Sequence, residues 1–398
     1  MKYTDKKLLE LMKDKVIRNE LIKDNVIKDD DKLIEKLGNI LSLKDLLSQK
    51  GFDIDEYEKK INLIKTNSHK FDVTLNTDIT NAIKVDADVV VKGILPCPVR
   101  VPLMEKIAKF KNENKDYFKT VSMQLNPASM GLDWLKESLS SNDENDIPDL
   151  FVSAGFDVFF DKKYIGKFVD REIFEDMSSQ KEYAEIFASL KDPKSAYSVM
   201  AVVPAVFIVN EKKLNGRKFP NSWEDLLSSD FEDSVALPLH DFDLFNAVLL
   251  GIYKLYGEEG IVRLAKNFKV NLHPSQMIKT ARENNDIAIS VMPYFFTNMA
   301  KSPLKSVWPL EGAIISPIFL LAKKSKRDKV KPLVDLFTGD DIANILANGG
   351  FFPSVNKNVQ NRLFGNETFV FPGWEFLNDS NPDAKLKELV EIFNRNKN

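Results

Sequence analysis

The chain has 398 residues and a mass of 45.4 kDa, and 43% of its residues are hydrophobic. This length suits two or three domains, and this composition is sufficient for buried cores. The formal net charge of −3 lacks the basic excess that is typical of proteins that bind nucleic acids or anionic membranes. A single cysteine, Cys97, excludes an internal disulfide framework and a zinc site with several cysteine ligands.

No targeting or membrane-spanning segment is evident in the sequence. The first twenty residues are charged throughout, unlike a secretory signal. The two longest apolar runs, residues 199–209 and 312–322, are too short to span a bilayer, and each contains a proline. We therefore expect a cytoplasmic protein without a transmembrane segment, or an extracytoplasmic one if the natural chain has a leader that this sequence lacks.

The N-terminal part of the chain is its most highly charged region. Lys, Arg, Asp and Glu make up 30 of the first 70 residues, and apolar residues recur between them at helical spacing. Ser42 is predicted to cap a helix over residues 43–50, with Gly51 directly after its end. The pattern predicts a small helical domain over residues 1–70.

From about residue 86 onward, predicted strands alternate with amphipathic helices. This alternation is typical of a mostly parallel, doubly wound α/β sheet. Because a long apolar strand returns after two such series, we expect two lobes joined by crossover segments. Lobe 1 is predicted to comprise residues 82–200 and 309–398, and lobe 2 residues 201–308. The predicted strands are 88–95, 118–125, 149–153, 201–210, 235–239, 287–291 and 313–322.

The best-known catalytic and nucleotide-binding motifs are absent. The sequence contains no GxxxxGK[ST] or GxGxxG phosphate loop, no HExxH zinc motif and no GxSxG nucleophile elbow. We predict no cofactor and no metal site.

Two side chains after the first predicted strand can carry chemistry. Cys97 lies between Pro96 and Pro98 at a predicted strand–helix turn. A thiol at a helix N-terminus can act as a nucleophile, although close packing of a small residue is the favoured interpretation. Arg100 lies in the first turn of the helix, where it could clamp a carboxylate or phosphate or simply be a surface arginine.

His240 and Asp241 follow the predicted strand 235–239 and precede a helix. Open α/β sheets bind ligands at the carboxyl ends of their strands, so these side chains are candidates for ligand contact. Capping of the helix by Asp241 or Asp243 is the structural alternative.

An aromatic group and a Trp–Glu pair complete the set of candidates. Tyr294, Phe295 and Phe296 follow the strand 287–291, where core packing is the default and ligand contact the alternative. Trp308 and Glu311 precede the last long strand. They could line a ligand site or cap the joint between the lobes.

Four passages share the order and spacing of a known family. Residues 203–210 match a first crossover strand, residues 220–227 (PNSWEDLL) a P-x-x-W-x-D-L helix, residues 308–314 (WPLEGAI) a second crossover, and residues 348–353 (NGGFFP) a late Gly…Pro loop. Together they resemble the type 2 periplasmic solute-binding proteins of ABC transporters, especially the branch that contains the ferric-ion-binding proteins. The resemblance covers about 310 of the 398 residues and implies an α/β fold of two lobes with an extra N-terminal helical domain.

Two departures limit what the resemblance implies about function: the tyrosine pair is incomplete, and no leader is evident although solute-binding proteins normally work outside the cytoplasm. The ferric-ion proteins have adjacent tyrosines after the strand that corresponds to 287–291, whereas here Tyr294 precedes two phenylalanines, which cannot bind a ferric ion. The N-terminal helices, especially over 43–62, resemble a small helical domain of unknown function from anaerobic bacteria, but without its cysteine pair. We therefore expect no tyrosine-based iron binding and no redox role for the N-terminal domain.

If the lobes are those of this family, five segments converge on one cleft: residues 96–100, 153–156, 240–243, 292–295 and 308–312. The ligand-binding residues predicted within them are Cys97, Pro98, Arg100, Ser153, Gly155, His240, Asp241, Tyr294, Trp308 and Glu311.

The leading functional hypothesis is a binding protein, not an enzyme. It describes a solute-binding protein of the ABC-transporter type whose two lobes close over a small polar or anionic ligand. The alternative is an enzyme on the same fold, with Cys97 as nucleophile and His240 as base. A third hypothesis is a cytoplasmic sensor. The expected partners are the small-molecule ligand and either an ABC permease or a signalling protein that binds the N-terminal domain, with no nucleic acid.

Overall fold

The structure is a computed structural model that divides into two compact units, Met1–Asp78 and Ile79–Asn398. Each unit is described by itself. The described residues are 3–12, 17–18, 21–22, 26–27, 41–55, 57–58, 61, 87–128, 133–180, 182–239, 242–272, 278–281, 286–379 and 381–397.

The N-terminal unit contains α1 (Leu8–Leu11) and α2 (Leu43–Gln49). The Ser42 hydroxyl accepts a hydrogen bond from the Asp45 backbone N–H (3.2 Å), and the Asp45 carboxylate accepts one from the Ser42 N–H (3.0 Å). This capping box satisfies two backbone donors that the first turn leaves without helical partners. Gly51 follows the helix with φ +78°. The predicted cap and end of this helix are confirmed.

Ten strands in the described part of the second unit form one mixed sheet. Its order is β2-β1-β3-β9-β4-β7-β5-β6, with β10 paired to β9 and β8 paired to β4. The strands are β1 (Val89–Leu95), β2 (Val121–Pro127), β3 (Leu150–Ala154), β4 (Ser198–Asn210), β5 (Val235–Leu237), β6 (Phe268–Asn271), β7 (Ile289–Pro293), β8 (Leu304–Val307), β9 (Ala313–Ala322) and β10 (Phe369–Val370).

Among the described strands, the parallel pairs lie within the lobes and between β9 and the short strand β10. β1 is parallel to β2 and β3 in lobe 1, and β5 is parallel to β6 and β7 in lobe 2. The two long strands β4 and β9 are antiparallel to each other, because one enters lobe 2 and the other returns from it. The fold is therefore the two-lobe α/β architecture that the sequence predicts, with antiparallel crossovers at its centre.

Helices cover the sheet, and several begin where a strand has just ended. The longest is interrupted at Gly257, whose φ of +65° is not helical. The helices are α3 (Arg100–Glu113), α4 (Asp133–Ser140), α5 (Asp157–Phe160), α6 (Gly166–Asp170), α7 (Trp223–Leu226), α8 (Phe242–Asn267), α9 (Arg327–Thr338), α10 (Asp340–Asn344), α11 (Trp374–Asp379) and α12 (Pro382–Asn396).

The C-terminal helices contact both lobes. The Trp374 ring lies 5.7 Å from that of Tyr197 in lobe 1. The Phe393 ring lies 5.2 Å from Phe245 and 5.5 Å from Phe268 in lobe 2. The assignment of the chain's last residues to lobe 1 therefore stays a prediction.

Candidate functional site

The strands of the two lobes point their carboxyl ends at each other. Ala154, the last residue of β3, pairs with Ile318 of β9, which pairs with Ala201 of β4. Pro293, the last residue of β7, pairs with Ala205 of β4. The two carboxyl edges are thus four residues apart along β4, or about 13 Å at ~3.3 Å per residue. Residues 202–204 of β4 and 315–317 of β9 span the interval between the two edges, which is here called the cleft.

On the lobe 1 side, β1 leads into a short 3₁₀ turn, Cys97–Val99, and then into α3. Cys97 and Pro98 are half-buried at this edge. Arg100 is only 7% exposed, and its guanidinium donates from Nη2 to the Leu125 carbonyl of β2 (3.4 Å). This contact holds the first turn of α3 against the neighbouring strand.

The end of β3 is tied to β9. Ser153 is fully buried, and its hydroxyl donates to the Ala154 carbonyl (3.2 Å). The Gly155 N–H donates to the Pro317 carbonyl (3.2 Å). Gly155 has φ +100°, a conformation that glycine adopts without steric cost, so the chain can turn here directly beside β9.

On the lobe 2 side, His240 and Asp241 lie outside the described residues, and their predicted roles stay predictions. Tyr294 directly follows β7 in the chain. Its ring packs edge-to-face against those of Trp308 and Phe351, at centroid distances of 5.1 Å and 5.6 Å. Its hydroxyl donates to the Arg362 carbonyl (3.2 Å). Burial raises the pKa of this hydroxyl, and the nearby Glu367 carboxylate raises it further.

Trp308 and Glu311 belong to the second crossover. The Trp308 indole N–H donates to the Thr368 carbonyl (3.0 Å). The Glu311 carboxylate accepts from the backbone N–H groups of Trp223 (2.9 Å) and Glu224 (3.1 Å) at the start of α7, and from the Tyr256 hydroxyl (2.6 Å). These contacts favour the interpretation of Glu311 as a cap of the joint.

The pKa of Glu311 reflects two opposed effects. Burial raises it, but the hydrogen bonds from Tyr256 and from the backbone at Trp223, Glu311 and Glu224 outweigh burial and hold the pKa below its ordinary value. A carboxylate that accepts several hydrogen bonds is stabilised in its charged form. Glu311 is therefore a charged group whose acceptor sites are already occupied by the protein.

Residues 349–353, here called the bridging loop, connect the predicted segments. A β-carbon added at Gly350 would overlap the Phe352 ring and lie 2.9 Å from Val99 Cγ1, so the absence of a side chain at Gly350 favours this close approach to the lobe 1 edge. The next residue, Phe351, contacts Tyr294 at the lobe 2 edge. The Pro353 carbonyl accepts from the Val202 N–H of β4 (2.9 Å). The loop thus brings residues 96–100 and the Tyr294–Trp308 pair to one place.

Two residues at this place were not predicted from the sequence. Phe351 has φ +53°, which is uncommon for a residue other than glycine. The Arg362 guanidinium lies over the Phe351 ring, with Cζ 4.8 Å from the ring centroid. The match of residues 348–353 to a family loop could have indicated Phe351. Arg362 has no comparable signal, because it lies in a polar segment without a strand, helix or motif.

A separate surface cavity of about 430 Å³ shares no residue with the five predicted segments. Its polar groups are largely paired with each other, since Asp340 accepts from the side-chain amides of Asn356 (2.8 Å) and Asn358 (3.3 Å). Within the described ranges, no three His, Cys, Asp or Glu side chains form a group that could hold a metal ion. The cavity is lined by Ser179, Gln180, Glu182, Thr338, Gly339, Asp340, Asn356, Lys357 and Asn358.

Comparison with protein families decides the identity. Residues 145–380, more than half of the chain, match the family model of the bacterial extracellular solute-binding proteins. The chain belongs to this family. The resemblance to type 2 solute-binding proteins of ABC transporters that the sequence suggested is thereby confirmed. No curated protein matches the sequence of this solute-binding protein.

Solved structures share the fold of this solute-binding protein at low sequence identity. A ferric binding protein from Campylobacter jejuni has a TM-score of 0.56 and 15% identity, with 77% of this chain and 99% of that chain covered. An ABC transporter protein from Clostridium perfringens has a TM-score of 0.55 and 17% identity, with coverage of 78% and 100%. The periplasmic binding protein AfuA from Actinobacillus pleuropneumoniae, with fructose-6-phosphate bound, has a TM-score of 0.56 and 15% identity, with coverage of 77% and 98%. In the part of the chain that the structure describes, no helix combines the length and apolar character needed to cross a membrane.

Proposed function

We propose that this solute-binding protein holds a small polar solute in the cleft between its lobes and releases it chemically unchanged. The observation that carries the proposal is the register of β4 with β7 and β9, which sets the two carboxyl edges about 13 Å apart. A gap of this width suits a metabolite-sized molecule. We further propose that its protein partner is an ABC permease.

The chemistry of the edges supports a polar solute. α3 begins just after β1 at one edge, and α8 begins just after β5 at the other. The N-termini of such helices present backbone N–H groups and the positive end of the helix dipole, which favour oxygen-rich or anionic groups. The crossovers β4 and β9 join the lobes and would act as the hinge about which the cleft closes.

We propose that this protein does not bind a ferric ion through a pair of tyrosine phenolates. Tyr294 supplies one phenol at this edge, and burial raises its pKa, which disfavours the phenolate. Phe295 and Phe296, which follow it, carry no oxygen ligand. A hard ferric ion requires several such ligands.

A thermal-shift screen tests the proposed function. The probes are carboxylates, sugar phosphates, free sugars, amino acids and metal salts, and each stabilising probe is then recovered from the protein and identified by mass spectrometry. At 100 times its dissociation constant, a true ligand should add about 2.7 kcal/mol to the free energy of unfolding. Recovery of the probe unchanged supports a binding protein, whereas its conversion to a product supports the enzyme alternative.

The enzyme alternative depends on Cys97 and His240. Cys97 is half-buried at the lobe 1 edge, and His240 lies outside the described residues. Cys97→Ser removes the nucleophile but keeps a small polar side chain. We expect this variant to retain ligand binding, whereas under the enzyme alternative it would lose turnover of the ligand.

A further inference from the structure

Arg362 places an exposed cation beside the cleft. Its guanidinium lies over the Phe351 ring at 4.8 Å, and Phe351 in turn contacts Tyr294, the first residue after β7. Among the residues that the structure describes, no Asp or Glu forms an ion pair with Arg362. The other arginine near the cleft, Arg100, is buried against β2. Arg362 is thus the accessible guanidinium at this place.

The backbone around Arg362 is fixed from both sides. The Asn361 side chain accepts from the Ser354 N–H (2.7 Å) and donates to the Ser354 carbonyl (2.9 Å). Ser354 itself pairs with Ala201 of β4 in an isolated antiparallel β-bridge. The Arg362 carbonyl accepts from the Tyr294 hydroxyl (3.2 Å). The arginine is therefore held between the crossover strand and the lobe 2 edge.

The position of the guanidinium over the Phe351 ring prepares it for an anion. An aromatic face attracts a guanidinium to one side and leaves the N–H groups along its edge directed outward. Those N–H groups form a fork that matches the two oxygens of a carboxylate or phosphate. Phe351 provides this aromatic face in a left-handed backbone conformation, φ +53°, which costs free energy and persists only where the surrounding structure holds it.

We propose that Arg362 binds an oxyanion of the solute, and that the solute is a small molecule with a phosphate or carboxylate group. This inference rests on the proposed function, because it assigns a ligand class to the same cleft. Phe351 and Tyr294 are positioning residues that orient the guanidinium and fix its backbone. Recognition of the rest of the solute is left to the strand-end segments of the two lobes.

Matched pairs of probes separate phosphate from carboxylate recognition. Glucose 6-phosphate is compared with glucose, and succinate with succinamide, by isothermal titration calorimetry on the full chain. We expect one anionic member to bind, and its neutral counterpart to bind at least tenfold more weakly. Arg362→Ala should weaken binding of that anion roughly ten- to a hundredfold, because a charge-assisted hydrogen bond is lost.

Two further variants test the geometry. Arg362→Lys keeps the charge but cannot form the bidentate fork, so we expect an affinity between those of wild type and Arg362→Ala. Arg395→Ala, on the exposed face of α12, is the control and should bind like wild type. Because Arg362 and Arg395 are both exposed, all three variants should unfold close to the wild-type temperature without ligand.

The outcomes separate this inference from the proposed function. If wild type and Arg362→Ala bind an anion with equal affinity, the role of Arg362 is overturned but solute binding stands. The same holds if wild type binds an anion and its neutral counterpart with equal affinity. If wild type binds only the neutral probes, the role of Arg362 is likewise overturned and solute binding stands. If no probe of either kind binds to wild type, the role of Arg362 is overturned, and the thermal-shift screen alone decides the proposed function.

Discussion

The Glu311 side chain joins the second crossover to two helices of lobe 2. It accepts hydrogen bonds from the first turn of α7 and from Tyr256 of α8. The sequence placed Glu311 correctly beside the crossover, but it left ligand contact and joint capping as equal alternatives. Only the partners distinguish them, and those partners, Trp223 and Tyr256, are 88 and 55 residues away in the chain.

The low pKa of Glu311 makes a pH-dependent contribution to stability. Its folded pKa is below the ordinary value of 4.5, so the stabilisation is present above that value and is lost as the pH falls through the folded pKa. Glu311→Gln should lower the free energy of unfolding at pH 7 by about 1 kcal/mol, because the group is partly exposed. The deficit should shrink as the pH falls below 4.5, as followed by urea unfolding from pH 7 to pH 3.

The control for this experiment is Glu391→Gln, which removes an exposed carboxylate that pairs with Arg395 on α12. The free energy of unfolding of this variant should differ from that of wild type by the same amount at every pH from 7 to 3. A deficit for Glu311→Gln that stays constant down to pH 3 would mean that the charge of Glu311 does not stabilise the joint.

Largely buried strands were the elements that the sequence predicted best. The predicted ends of β1, β3, β4 and β9 lie within a few residues of the observed ends. Runs rich in Val, Ile, Leu and Phe are typical of buried strands. β6, β8 and β10 were not predicted. They have two to four residues each, and their pairing depends on neighbours that are distant in the chain.

The bridging loop depends on a glycine at its centre. In Gly350→Ala, the added methyl group would meet Val99 at 2.9 Å as well as the Phe352 ring. We expect the variant to lose about 1–3 kcal/mol of unfolding free energy through overpacking, measured by urea denaturation. Gly349→Ala is the matched control, since its methyl group would meet only Val99, at 3.3 Å. Equal stability of the two variants would contradict the tight packing of Gly350 against Phe352 and Val99.

The two-lobe plan of the second unit could be predicted from the sequence, whereas its site could be predicted only in part. Strand-end positions indicated residues 96–100 and Tyr294, because open α/β sheets bind ligands at their carboxyl edges. Arg362 could not be found by that rule. It lies in an irregular segment. Its position beside the cleft depends on the hydrogen bond between Asn361 and Ser354 and on the contact of its guanidinium with the Phe351 ring. The cytoplasmic location and the role of the N-terminal unit stay predictions.

Closure of the lobes is the central claim, and a distance between them tests it most directly. Glu113 at the end of α3 and Lys266 near the end of α8 are exposed and lie far from the cleft edges where these helices begin. Fluorescent labels on Glu113→Cys and Lys266→Cys, in a Cys97→Ser background, report the separation of the lobes by energy transfer. We predict that the solute found in the screen changes the transfer efficiency with the same dissociation constant that calorimetry gives. Saturating binding without any change in transfer would contradict a cleft that closes over its solute.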